Sequence, residues 1–149
     1  MDIPAHIRIL ATIKTGSVYY FQAEELASSD SHYFVVLNKD PRTEEFLILV
    51  CASSQIEKRR HIAQKLGFPQ ETLVFVSPAH YKIFRKDTVI DCNRVFEKTS
   101  LFLIEKLEQG KLRVCREMMP ETIIKNLIQG VLASNQISEK IKRILSSPE

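Results

Sequence analysis

Four histidines, three cysteines and a few serines at the ends of apolar runs are the side chains of this 149-residue chain most suited to proton transfer, nucleophilic attack or metal binding. His32 opens an apolar run directly after the polar stretch Ala27-Ser28-Ser29-Asp30-Ser31. An imidazole titrates near neutral pH and can act as general acid or base, although a surface position at a strand edge is the commoner fate of such a residue. Ser53 and Ser54 close another apolar run just before helical spacing begins. A hydroxyl there can donate to an anion or simply cap the helix. Tyr19, Tyr20 and Tyr33 lie in strand patterns nearby. Aromatic faces stack unpaired bases, yet neighbouring strand residues face opposite sides, so at least one of the three belongs to the core. His6, His61 and His80 show no ligand spacing. Cys51, Cys92 and Cys115 sit in apolar or alternating segments without a CxxC or a Cys/His spacing suited to zinc, so they read as reduced core thiols. No metal or cofactor is expected.

The elements that must position these residues follow from periodicity. Compact or alternating runs rich in Val, Ile, Tyr and Phe predict strands at Ser17 to Phe21, Tyr33 to Asn38, Phe46 to Ala52, Leu73 to Ser77 and Thr88 to Cys92. The polar loop Asn38 to Thr43 joins the second and third as antiparallel neighbours, and a meander is the natural continuation. Ile56, His61-Ile62 and Leu66 recur at helical spacing ahead of Gly67 and Pro69, which predicts a helix over Ile56 to Leu66 interrupting the sheet. Its outer face carries Lys58, Arg59, Gln64 and Lys65, a cluster able to approach phosphates but more simply a solvated face. Leu101, Ile104 and Leu107 predict a short helix ended by Gly110, and Leu112 to Cys115 a sixth strand. Pro120 and Glu121 open a helix striped by Ile123-Ile124, Leu127-Ile128 and Val131-Leu132, and a last helix runs from Ile137 to Leu145. That stripe can close the domain, bind a second copy or accept a partner peptide, the first being the simplest.

Composition sets the frame. With 44% hydrophobic and 26% charged residues, the chain reads as one globular α+β domain over residues 1–149. Its longest apolar runs, such as Phe46 to Ala52, are far shorter than a bilayer span. Pro4, His6 and Arg8 interrupt the apolar residues of the N-terminus, so a signal-peptide core is not expected and a cytoplasmic, non-membrane protein is. A net charge of +3 permits an anionic partner without demonstrating one.

Three blocks then stand in a telling order: Gly16-Ser17-Val18-Tyr19-Tyr20 with His32-Tyr33-Phe34-Val35-Val36-Leu37-Asn38, then Cys51-Ala52-Ser53-Ser54-Gln55, then Arg85-Lys86-Asp87-Thr88-Val89-Ile90-Asp91-Cys92-Asn93. They resemble the opening Gly-Asp-Val-Tyr/Trp and Arg-Pro-x-x-Val-Ile/Leu strands, the strand ending in Thr-Ser/Ala/Thr and often followed by Gln, and the basic-Asp-Ser-Val strand of the PemK/MazF toxins of type II toxin–antitoxin systems. The likeness extends from Gly16 to about Leu107. It implies an SH3-like β-barrel with an inserted helix and C-terminal helices, a homodimer restrained by an antitoxin protein, and metal-independent cleavage of single-stranded RNA through the ribose 2′-hydroxyl. It also implies a site. His32 falls where the family has its catalytic arginine and Ser53 where it has its catalytic threonine, with Ser54, Gln55, Tyr19 and Tyr33 placed toward RNA. An imidazole cannot reproduce the bidentate fork of a guanidinium on phosphate. The resemblance therefore also admits a non-catalytic RNA- or protein-binding module of the same fold, and a third reading gives partner docking to the C-terminal helices.

Overall fold

Along the middle of the first three strands both alternating sets of side chains are apolar and buried, so both faces of this part of the sheet must be covered. The computed structural model describes residues 3–146. Its elements are α1 (Ala5–Thr12), β1 (Val18–Phe21), β2 (His32–Val36), β3 (Leu47–Ser53), α2 (Ile56–Leu66), β4 (Leu73–Val76), β5 (Thr88–Asp91), β6 (Phe96–Lys98), α3 (Ser100–Glu108), β7 (Leu112–Val114), α4 (Glu121–Ala133) and α5 (Glu139–Ser146). Val18, Val35, Ile48 and Val50 enter one core, with Val74, Ile90 and the apolar stripes of α4 and α5. Tyr19, Phe21, Phe34, Val36, Leu47 and Leu49 enter the other, with Ile9 and Ile13 from α1 and its C-cap and Leu103 of α3. Both faces are thus covered, as a doubly apolar sheet requires.

The result is an α+β fold around a seven-stranded antiparallel sheet of order β4-β5-β3-β2-β1-β7, with β6 also on β3. The strand path is open and ends on β4 and β7. The expected meander holds for β1, β2 and β3 and fails after α2. That helix carries the chain past β3, and β5 returns into the position that β4 was expected to fill. One edge of β3 serves two partners, Leu47 to Leu49 pairing with β6, and Ala52 and Ser53 with β5. Two elements have no counterpart in the expectations, α1 and the three-residue β6.

The C-terminal stripe is used internally. Ile123, Ile124, Leu127 and Val131 of α4 and Ile141 and Leu145 of α5 are buried in the first core, so this stripe is not a free docking face. A buried polar knot fixes where α4 ends. Asn93 Nδ2 donates to Thr72 Oγ1 (2.9 Å), and Ser134 Oγ donates to Asn93 Oδ1 (2.7 Å). Gly130 lets the helix come this close, since a Cβ there would lie 2.7 Å from the Glu71 carbonyl oxygen and 2.8 Å from Cys92 Sγ. Gly130→Ala should therefore destabilise the protein by roughly 1–3 kcal/mol despite alanine's better helix propensity, in denaturant titration. A gain in stability would show that the contact is loose. Among the described residues no helix is long and apolar enough to cross a membrane.

Candidate active site

The start of β2 and the end of β3 meet at a cavity of about 600 Å³. In the β2–β3 ladder Phe34 faces Cys51, and the same register continued two residues outward brings His32 level with Ser53. Both line the cavity. By alternation they leave the sheet on the side of Phe34 and Cys51, whereas Tyr33 and Ala52 leave on the other, and the cavity wraps the strand ends to include all four.

The loop before β2 orients the imidazole. His32 Nδ1 lies 3.1 Å from the Asp30 carbonyl oxygen, and a carbonyl only accepts, so the ring proton sits on Nδ1 and Nε2 keeps its lone pair in the neutral ring. The loop itself is tied down at Glu25. Lys98 Nζ approaches its carboxylate at 2.8 Å, and Arg94 donates to its carbonyl at 2.9 Å. Burial by itself raises the Glu25 carboxyl pKa, but the hydrogen bond from Lys98, a backbone hydrogen bond and the charges of Lys98 and Arg94 together outweigh this and hold it below the ordinary value.

Ser53 does not cap α2. The N-cap position is Gln55, without a side-chain cap bond, and Ser53 Oγ instead accepts from the Gln55 N–H at 3.1 Å, closing a turn just before the helix. The hydroxyl proton of Ser53 thus remains to be donated. Ser54 and Gln55 are exposed and also line the cavity.

The aromatic wall differs from the expectation in one member. Tyr19, level with Phe34 across β1 and β2, is fully buried in the second core, near enough to the Thr12 hydroxyl to share a hydrogen bond at 3.2 Å, and cannot present a face to a base. Alternation sends Tyr20 to the cavity instead, where its ring lies 4.5 Å from that of Tyr33, and Tyr33 lies 5.4 Å from Phe84. Arg113, the β7 partner of Tyr20, stacks its guanidinium 4.6 Å from the Tyr20 ring centre and donates to the Tyr33 hydroxyl at 3.4 Å. Lys58 and Arg59 from α2 and Arg85 and Lys86 before β5 also line the cavity, against the single carboxylate of Asp30. Two of the basic residues on α2 thus face a site as well as solvent. Phe84 and Arg113 carried no signal in the sequence, because Arg113 reaches the tyrosines only through the long-range pairing of β1 with β7.

The cysteines take no part. Burial pushes the Cys51 thiol up to about 12, with Arg59 and Arg94 pulling weakly against it, and burial pushes Cys92 up to about 12 as well. At pH 8 such thiols are about 10⁻⁴ ionised, against roughly a quarter for a free cysteine. Both should react with DTNB on the order of 10³-fold more slowly in native protein than after unfolding, followed residue by residue by mass spectrometry. Rapid native labelling of either would contradict their burial. Among the described residues no three His, Cys, Asp or Glu side chains are grouped to hold a metal ion. Comparison of the chain with protein-family models and with curated proteins returns no match.

Proposed function

We propose that this protein is a toxin-like endoribonuclease of the PemK/MazF kind, cleaving single-stranded RNA at the His32–Ser53 cavity. The observation that carries the reading is one cavity lined by His32 and Ser53, by the rings of Tyr20, Tyr33 and Phe84, and by cations. Aromatic faces beside positive charge suit single-stranded nucleic acid, whose bases are unpaired and whose backbone is anionic. On this reading the seven-stranded sheet corresponds to the family's SH3-like β-barrel, and the working form is a cytoplasmic homodimer held in check by an antitoxin protein.

The chemistry uses the chain, the RNA and a solvent proton. His32 Nε2 takes the proton of a ribose 2′-hydroxyl, and the 2′-oxygen bonds to the adjacent phosphorus. The bond from phosphorus to the 5′-oxygen breaks, and that oxygen leaves with a proton from solvent, giving a 2′,3′-cyclic phosphate and a 5′-hydroxyl. Ser53 donates to a non-bridging oxygen, and Arg59, Arg85 or Arg113 supplies the charge that His32, standing in the arginine's place, does not. That same replacement favours a second reading, a module that binds RNA without cutting it.

Purified protein incubated with a single-stranded RNA panel in EDTA should yield fragments with these ends, and a 2′-deoxy residue at the cut position should abolish cleavage there. Binding without cleavage would leave the second reading in place. Neither binding nor cleavage would end both.

A further inference from the structure

We propose that the outer edge of β7, with the groove between it and α1, docks an extended acidic segment of a partner protein, which adds as a strand beside β7. β7 ends the sheet. The Cys115 N–H donates to the Val18 carbonyl at 3.0 Å, so the hydrogen-bonded pairs of this ladder are Cys115 with Val18 and, two residues on, Arg113 with Tyr20. Val114, opposite Tyr19, must then direct its N–H and C=O away from β1. An edge of this kind is a template for another strand.

Beside it lies a second cavity of about 530 Å³, lined by Val114 together with Ile3, Ile7 and Met118. These last three are 61%, 48% and 42% exposed and share one groove. The charged side chains in the lining are Arg8, Lys14 and Arg116, with no carboxylate among them. Among the described residues none of the three is in an ion pair.

Charge selects the occupant. A second copy meeting this edge through the same surface would bring an identical set of cations against the first. A nucleic acid would match the charge but has no use for apolar lining beside an outward peptide group. A strand alternating apolar and acidic residues satisfies all three features, with its backbone on Val114, one set of side chains in the groove and the other toward the cations. No residue lines both this groove and the His32 cavity, so the inference does not depend on ribonuclease activity.

Two ten-residue blocked peptides, one alternating Val and Glu and the other Val and Lys, test it by anisotropy and amide shift mapping. The acidic peptide should bind at least tenfold more tightly than the basic one, less so at high salt, and shift the amides of Ile7, Val114 and Arg116. Val114→Pro removes the outward N–H without removing a bond to β1, and should weaken binding tenfold or more. Ile7→Glu, at an exposed helix position, should do the same by repulsion while circular dichroism stays unchanged. Equal binding of both peptides, no binding at millimolar concentration, or shifts outside the groove would overturn the proposal. So would a dimer whose dissociation on dilution shifts these same amides, since a second copy would then hold the edge.

Discussion

Replacing His32 by alanine should lower cleavage of single-stranded RNA by about 10²-fold or more, the usual loss when a positioned general acid or base is removed. The expectation rests on orientation as well as residue type. The Asp30 carbonyl holds the ring in the tautomer whose Nε2 is free to accept a proton, and His32 and Ser53 line the same cavity. Ser53→Ala should cost less, roughly tenfold to a hundredfold, as loss of one hydrogen bond to a charged oxygen implies. Single-turnover rates on a labelled oligonucleotide separate the two, and melting curves check that neither variant is unfolded. Full activity in His32→Ala would remove the imidazole from the mechanism and shift attention to the arginines around the cavity.

The largest effect on stability should come from Phe34. Its ring is fully buried, stacked 4.3 Å from Phe21 and met edge-on by Phe96 at 5.2 Å, so three strands converge on it. Phe34→Ala removes the ring from both neighbours and leaves a cavity that the sheet backbone cannot collapse to fill. A loss of about 3–5 kcal/mol is expected. Against a total of roughly 5–15 kcal/mol this is severe, and for a chain of this size it lowers the melting temperature by roughly 6–20 °C. A loss under about 1 kcal/mol in urea titration would mean that the second core is far softer than its packing suggests.

Local signals found most of the elements. Five apolar runs became β1 to β5, the helical spacing from Ile56 to Leu66 became α2, and the Pro120 start became α4. β6 was invisible because three residues cannot display a period. α1 is hidden because Pro4, His6 and Arg8 break up the apolar residues of the N-terminus, whereas Ile9 and Ile13, one turn apart, are what the helix and its C-cap bury. Strand order after α2 was not legible either, since nothing local distinguishes a strand that pairs with β3 from one that passes it. In the site, the resemblance groups His32, Ser53, Ser54, Gln55 and Tyr33, and these five line one cavity. Tyr19 was misplaced by one residue's worth of alternation, and Arg113 lay beyond reach because only tertiary pairing brings it to Tyr20.

The pairing of β1 with β7 also bears on the order in which the chain is made. Phe21 faces Leu112 across that ladder, so the flank of β1 remains without its partner until about 90 further residues have been added. At roughly 5–20 residues per second this interval lasts on the order of 5–20 s. During it Tyr19 and Phe21 sit on a strand with one open side, at the stage of synthesis when sticking to another nascent chain is easiest.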